Sequence, residues 1–200
     1  MFNLSRCLGC LCLFVFSLSA LAAEPAVPGI HNFHQIDNHV YRGGQPNDAG
    51  LQYLAKIGVK TVVDLREPGA RADHERETVS ALAMKYVSVP MTGLTPPTDS
   101  QIDQILGLLE DKTSGPVFVH CKRGADRTGA VIGAYRVDYD HWGNAEALKE
   151  AKADGIAFFQ MPRKNYIMTF QPRTAVATAK ASANPTATAA PAVLLPAVAH

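Results

Sequence analysis

Val117-Phe118-Val119-His120-Cys121-Lys122-Arg123-Gly124-Ala125-Asp126-Arg127-Thr128-Gly129 is the stretch on which the reading of this chain turns. A β-branched and aromatic run ends at His120, and Ala130, Val131, Ile132, Ala134, Tyr135 and Val137 then recur at helical spacing. The pattern predicts strand, tight loop, helix. Such a loop turns backbone N–H groups inward as an anion-binding nest, and the helix N-terminus adds partial positive charge. Gly124 is expected to let backbone approach closely, and Gly129 to let the helix pack against the strand. Cys121 opens the nest and Arg127 closes it. The N–H donors, the helix dipole and the guanidinium all favour a thiolate, so this thiol should ionise well below the range of a free cysteine. The Arg127 fork matches two oxygens of a phosphoryl group. The bland alternative is a buried structural cysteine beside a coincidental arginine, but a core strand rarely ends in a run this polar and glycine-rich.

His120-Cys121, five further residues, then Arg127-Thr128-Gly129 resembles the phosphate-binding loop of cysteine-dependent protein tyrosine phosphatases. The small dual-specificity and atypical branch, with its plant, fungal and bacterial members, is the nearest match. Cys-x5-Arg alone is a weak pattern; the His before it, the Gly within it, the Thr-Gly after it and the strand upstream make it specific. Tyr41-Arg42-Gly43-Gly44-Gln45-Pro46 and Asp64-Leu65-Arg66 also resemble stretches of bacterial and plant members. The resemblance covers residues 36–171 and is sharp over 119–129.

It implies Cys121 as nucleophile and a phosphate cradle made of Lys122, Arg123, Gly124, Ala125, Asp126 and Arg127. Thr128 would support the departing thiolate, and His120 would order the loop through backbone contacts without acting as a base. No metal or other cofactor is expected, because the cradle itself supplies positive charge. The family usually delivers a proton from an aspartate on a mobile loop upstream, but residues 88–91 carry no acid. Asp99, in a Pro-x-x-Asp context, is the nearest candidate, though a plain helix N-cap reads as well. Asp126 is a rival and Asp103 a third. If none donates, good leaving groups such as phenols or pyrophosphates should be favoured.

Two hundred residues suit one domain of ordinary size with additions. A net charge of +1 argues against a nucleic-acid protein. Arg6, an apolar run over 8–18 and Ser19-Ala20-Leu21-Ala22-Ala23 read as a cleaved secretory signal over 1–23, with an uncleaved anchor as the alternative. Leu8-Gly9-Cys10 precedes the apolar run, so it does not suit lipidation. Cys7, Cys10 and Cys12 lie in that leader, and Cys121 would remain as the single thiol of an exported, periplasmic or secreted protein. No stable membrane span is expected after its removal. The phosphatase-like domain should occupy 24–171, and the Ala-, Pro- and Thr-rich residues 172–200 should form a disordered tail.

Between these limits, residues 24–36 read as irregular, and His31 and His34 as packing or surface groups rather than metal ligands. Residues 40–46 read as strand and turn. A helix capped by Asn47 or Asp48 follows and closes at Gly58. Strand 59–65 precedes a charged helix over 70–84, whose charges read as a solvated face. Strand 86–89 and a loop over 90–97 lead to a helix capped by Thr98 or Asp99, with Ile102, Ile105, Leu106, Leu108 and Leu109 on its apolar face. Helices over 144–152 and 162–170 close the domain. The alternation predicts an α/β fold with a central mostly parallel sheet flanked by helices, like that of dual-specificity phosphatases. Ligands bind beyond strand C-termini in such sheets, so His120-Cys121 and Asp64-Leu65-Arg66 could meet.

The expected partner is a phosphorylated substrate: a protein, an inositol phosphate or a phospholipid headgroup. Lys122 and Arg123 add charge that suits polyanions, or else merely anchor the loop. A broad phosphomonoesterase active on aryl phosphates is the leading expectation, with a phosphoinositide or inositol-polyphosphate phosphatase as runner-up. A rhodanese-type sulfur transferase fits less well because of Thr128-Gly129. A pseudophosphatase that binds without turnover is the rival from another class; intact Cys121 and Arg127 count against it.

Overall fold

The computed structural model describes residues 27–173. The leader expected over 1–23 and all but the first two residues of the expected tail lie outside the described residues. Five strands form one sheet in the order β1-β2-β5-β3-β4. These are β1 (His34–Gln35), β2 (Val40–Gly44), β3 (Thr61–Asp64), β4 (Lys85–Ser88) and β5 (Val117–Cys121). β2, β5, β3 and β4 run parallel, and β1 adds an antiparallel edge to β2. Two residues carry no readable alternation, which is why β1 was expected as irregular chain.

Central β5 is buried at every position, as a strand covered on both faces must be. Its side chains alternate between two cores. Val62 and Phe118 face Leu51 and Leu54 of α1 (Asp48–Lys56) and Val79 of α2 (Ala70–Ala81). Val63, Val117 and Val119 face Ile102, Ile105 and Leu109 of α3 (Asp99–Glu110) and Val131, Ile132 and Tyr135 of α4 (Asp126–Asp138). α5 (Asn144–Ala153) and α6 (Met161–Thr169) pack beside α4 through Ala147, Ala151 and Ile167.

Capping chemistry fixes two starts. Asn47 accepts from the Gly50 N–H at 3.0 Å, and Thr98 with Gln101 forms a capping box. α2 ends earlier than its charge pattern suggests, since Ala83 turns left-handed at φ 56°. α4 begins at Asp126, four residues before the apolar period becomes visible at Ala130, with a Gly129 N–H to Ala125 carbonyl bond of 2.7 Å. Register sets up the functional edge: Gly44 lies opposite Cys121, and Asp64 opposite His120. Three strand ends, 20 or more residues apart in sequence, therefore finish side by side. Beyond α6, Arg173 donates to Asp138 and Glu110, so the packed body continues through that residue.

Candidate active site

Cys121 ends β5 at the floor of a cleft of about 250 Å³, with Lys122, Arg123, Asp126 and Arg127 around it and Gly93, Gln160 and Arg163 opposite. Burial pushes the thiol towards the neutral form, but the Thr128 hydroxyl and the backbone N–H groups of Thr128, Arg123 and Gly124 outweigh it, and the thiol is held below its ordinary range. The Thr128 hydroxyl is buried with no other partner. Backbone donors of Arg123 and Gly124 thus converge on the sulfur, with Thr128 as a further donor beyond Arg127.

The loop is clamped from below. Gly124 has φ 71°, and a Cβ there would come within 2.4 Å of the Gly43 carbonyl carbon, so glycine is required twice over. Its carbonyl accepts from Asn32 Nδ2 at 3.1 Å and from the fully buried Arg42 guanidinium, which also pairs with Asp154. Asn32 reaches the Asp154 carbonyl as well, at 2.9 Å. Gly129 serves a different neighbour from the one expected. The space above it is filled by Ala151 of α5, 3.5 Å from an ideal Cβ, rather than by the strand.

His120 is fully buried behind the loop. Its Nε2 lies 2.7 Å from Glu75 Oε1 and 3.8 Å from Asp64 Oδ1. Its Nδ1 is 3.4 Å from the Cys121 carbonyl. Burial lowers its basicity, but Glu75 and Asp64 more than restore it, and the imidazole is held above its ordinary range. His120 therefore orders the loop chiefly through two carboxylates rather than through backbone alone. Arg66 binds the same pair, donating to Asp64 at 2.6–3.0 Å and to Glu75 at 2.7 Å, while the Tyr86 hydroxyl donates to Asp64 at 2.6 Å. Asp64, Glu75 and His120 are close enough to hold a metal ion. The Arg66 guanidinium already occupies both carboxylates, so Asp64 and Glu75 are met by cationic groups of the chain itself. Glu75 is the exception to the solvated face expected of α2.

The candidate acids separate. Asp126 accepts from Arg123 at 2.5 Å and from the Ala157 N–H at 2.8 Å, so both oxygens brace the loop against the α5–α6 connection. Asp99 is the first residue of α3, with Thr98 as the cap. Its Oδ1 accepts from Tyr166 at 3.3 Å, and neither Asp99 nor Asp103 lines the cleft. Lys122 and Arg127 line both this cleft and a second groove that includes Arg66 and Arg71. Sequence reading missed Asn32, Glu75 and Arg163; each lies in an unremarkable helix or loop, Glu75 and Arg163 set apart by burial and half-buried Asn32 by its left-handed φ of 52° and its bond to the loop.

A parallel sheet ending in a thiol nest, closed by arginine at a helix N-terminus, defines the atypical dual-specificity class of cysteine phosphatases. The comparisons agree. Residues 29–167 match the family PTP-NADK, described as DSP-PTPase phosphatase fused to NAD+ kinase, and the chain belongs to that family. It is 29% identical over 138 residues to the dual specificity protein phosphatase TpbA of Pseudomonas aeruginosa strain UCBPP-PA14, covering 68% of this chain and 59% of that one. It is 26% identical over 143 residues to the inositol diphosphatase DSP3 of Arabidopsis thaliana, covering 70% of each. It spans only 11% of a probable chloroplastic NAD kinase 2 of Oryza sativa, with 31% identity over 106 residues. The crystal structure of P. aeruginosa TpbA superposes with a TM-score of 0.63 at 25% identity, covering 74% of this chain and 89% of that one. The catalytic core of S. cerevisiae Siw14 shares the fold, with a TM-score of 0.67 at 18% identity, covering 80% of this chain and 98% of that one.

Proposed function

We propose that this chain hydrolyses phosphate esters and anhydrides through a phosphocysteine. The observation that carries the reading is a buried thiol whose pKa is held below its ordinary value by hydroxyl and backbone donors, in a cleft that Arg127 also lines. The Cys121 thiolate attacks phosphorus, the P–S bond forms, and the bond to the leaving oxygen breaks. Backbone N–H groups of the loop and the Arg127 guanidinium hold the three equatorial oxygens as charge redistributes. Water then attacks phosphorus, the P–S bond breaks, inorganic phosphate leaves, and Thr128 stabilises the returning thiolate.

The leaving oxygen must be neutralised. Asp126 is the cleft's carboxylate and is engaged on both oxygens. Leaving groups that need little protonation, phenols and phosphates, are therefore favoured. Both substrate classes have counterparts among the relatives, which are called dual specificity protein phosphatase and inositol diphosphatase. Lys122 and Arg71 beside the cleft favour the second, polyanionic class. Hydrolysis of para-nitrophenyl phosphate by the wild type, absent in Cys121→Ser, tests the chemistry. Phosphate binding without turnover in both would make the chain a binding module instead.

The expected leader would take the protein to the periplasm or outside the cell, where Cys121 would have no cysteine of its own chain to pair with. N-terminal sequencing of the mature chain from fractionated cells tests this: cleavage after Ala22 or Ala23 supports export, and a retained Met1 in the cytoplasm ends it. Among the described residues no helix is long and apolar enough to cross a membrane.

A further inference from the structure

Arg163, from the first turn of α6, faces Cys121 and Arg127 across the cleft. It is 1% exposed. Its Nη1 donates to Gln160 Oε1 and its Nη2 to the Thr92 carbonyl at 3.1 Å. Both acceptors are neutral, and the buried Nε has no partner. Among the described residues, every other deeply buried arginine has a carboxylate: Arg42 has Asp154, and Arg66 has Asp64 and Glu75. A guanidinium taken out of water without a counter-charge is costly, and the cost is tolerated where an anion arrives to offset it. Burial and the neighbouring Arg127 both weaken its hold on its proton, while Asp126 and Cys121 oppose them. A phosphoryl group on Arg127 uses that arginine's fork, which leaves Arg163 for a second anion in the same cleft.

We propose that Arg163 binds a second phosphate of the substrate, next to the phosphoryl group seated over Cys121. The inference rests on the phosphatase reading and narrows it to substrates with two neighbouring phosphates. The second phosphate is either attached to the first, as in a diphosphate, or carried on the adjacent carbon. Arg163 is then a specificity-determining residue for a site whose cradle alone would accept any phosphomonoester.

The test reads binding, so it does not depend on turnover. Cys121→Ser and the double variant Cys121→Ser/Arg163→Gln are titrated calorimetrically with orthophosphate, inorganic pyrophosphate and inositol hexakisphosphate. Loss of Arg163 should lower the affinity for pyrophosphate or inositol hexakisphosphate, relative to orthophosphate, by about tenfold. Arg163→Lys should fall between. A drop for pyrophosphate assigns the attached phosphate, and a drop confined to inositol hexakisphosphate assigns the adjacent one. An unchanged ratio in a folded variant overturns the proposal, because an arginine that merely fastens Thr92 to α6 would affect all three ligands alike. If Arg163→Gln does not fold, Cys121→Ser alone decides: pyrophosphate or inositol hexakisphosphate must bind at least about tenfold tighter than orthophosphate, and equal affinities end the proposal. Failure of wild type to hydrolyse para-nitrophenyl phosphate would sink the enzyme reading separately.

Discussion

A thiol that is 3% exposed should resist ionisation, yet Cys121 is held below its ordinary range. Donors aimed at one sulfur outweigh desolvation because they act in the same low-dielectric site that creates the penalty. Thr128→Ala removes the hydroxyl donor and should move the thiol titration upward. The rate of iodoacetate alkylation against pH should show its half-point displaced to higher pH, and turnover of para-nitrophenyl phosphate should fall about tenfold. A titration that stays in place would show that the backbone donors suffice alone. Asp99 bonds to Tyr166 and lies off the cleft lining, so Asp99→Asn should slow aryl and alkyl phosphates alike, by less than about threefold. A loss of tenfold or more confined to alkyl phosphates would instead assign it proton delivery.

At the scale of elements, the loop is held by what lies under it. α2 contributes Glu75, β3 contributes Asp64, and the turn after β3 contributes Arg66; together they enclose His120. Glu75→Gln would leave Arg66 and His120 short of a buried counter-charge, at a cost of about 3–5 kcal/mol in denaturant unfolding. The pH dependence has a definite sign. His120 binds its proton more tightly folded than unfolded, so its contribution is complete below the ordinary histidine range. That contribution is lost as pH rises through the elevated folded value. The wild-type melting temperature should therefore decline as pH rises above neutral, and the decline should shrink in Glu75→Gln. A parallel decline in both proteins would place the titration elsewhere. At the loop itself, Gly124→Ala meets the Gly43 backbone and a left-handed φ together, so both stability and turnover should drop, by about 1 kcal/mol or more in unfolding.

For the molecule as a whole, net charge is nearly balanced while the functional edge is not. Arg71, Lys122, Arg127 and Arg163 line two adjoining hollows of a chain whose formal charge is +1, against Glu67 and an Asp126 already paired with Arg123. The attraction for a polyanion is local to that edge, and salt screens it over about 10 Å at 0.1 M. Raising ionic strength should increase KM for inositol hexakisphosphate or pyrophosphate more steeply than for para-nitrophenyl phosphate, with kcat less affected. Equal salt slopes would mean that only the cradle meets the substrate.

The nest was legible in the sequence because its chemistry is local. Cys121, Gly124, Arg127 and Thr128 fall within one loop, and their spacing alone fixes where the N–H groups and the fork can point. The α/β order was legible for the same reason, since periodicity and caps such as Asn47 and Thr98 act over a few residues. The start of α4 was not, because polar Asp126-Arg127-Thr128 hides the first helical turn. Asn32, Arg42, Glu75 and Arg163 meet the loop or its flanks from as far as 92 residues away in sequence, and Asp154 braces Asn32 and Arg42 in turn. The parallel register that brings Gly44, Asp64 and Cys121 to one edge decides which buried charges of the described residues meet a carboxylate, and no short-range pattern encodes that choice.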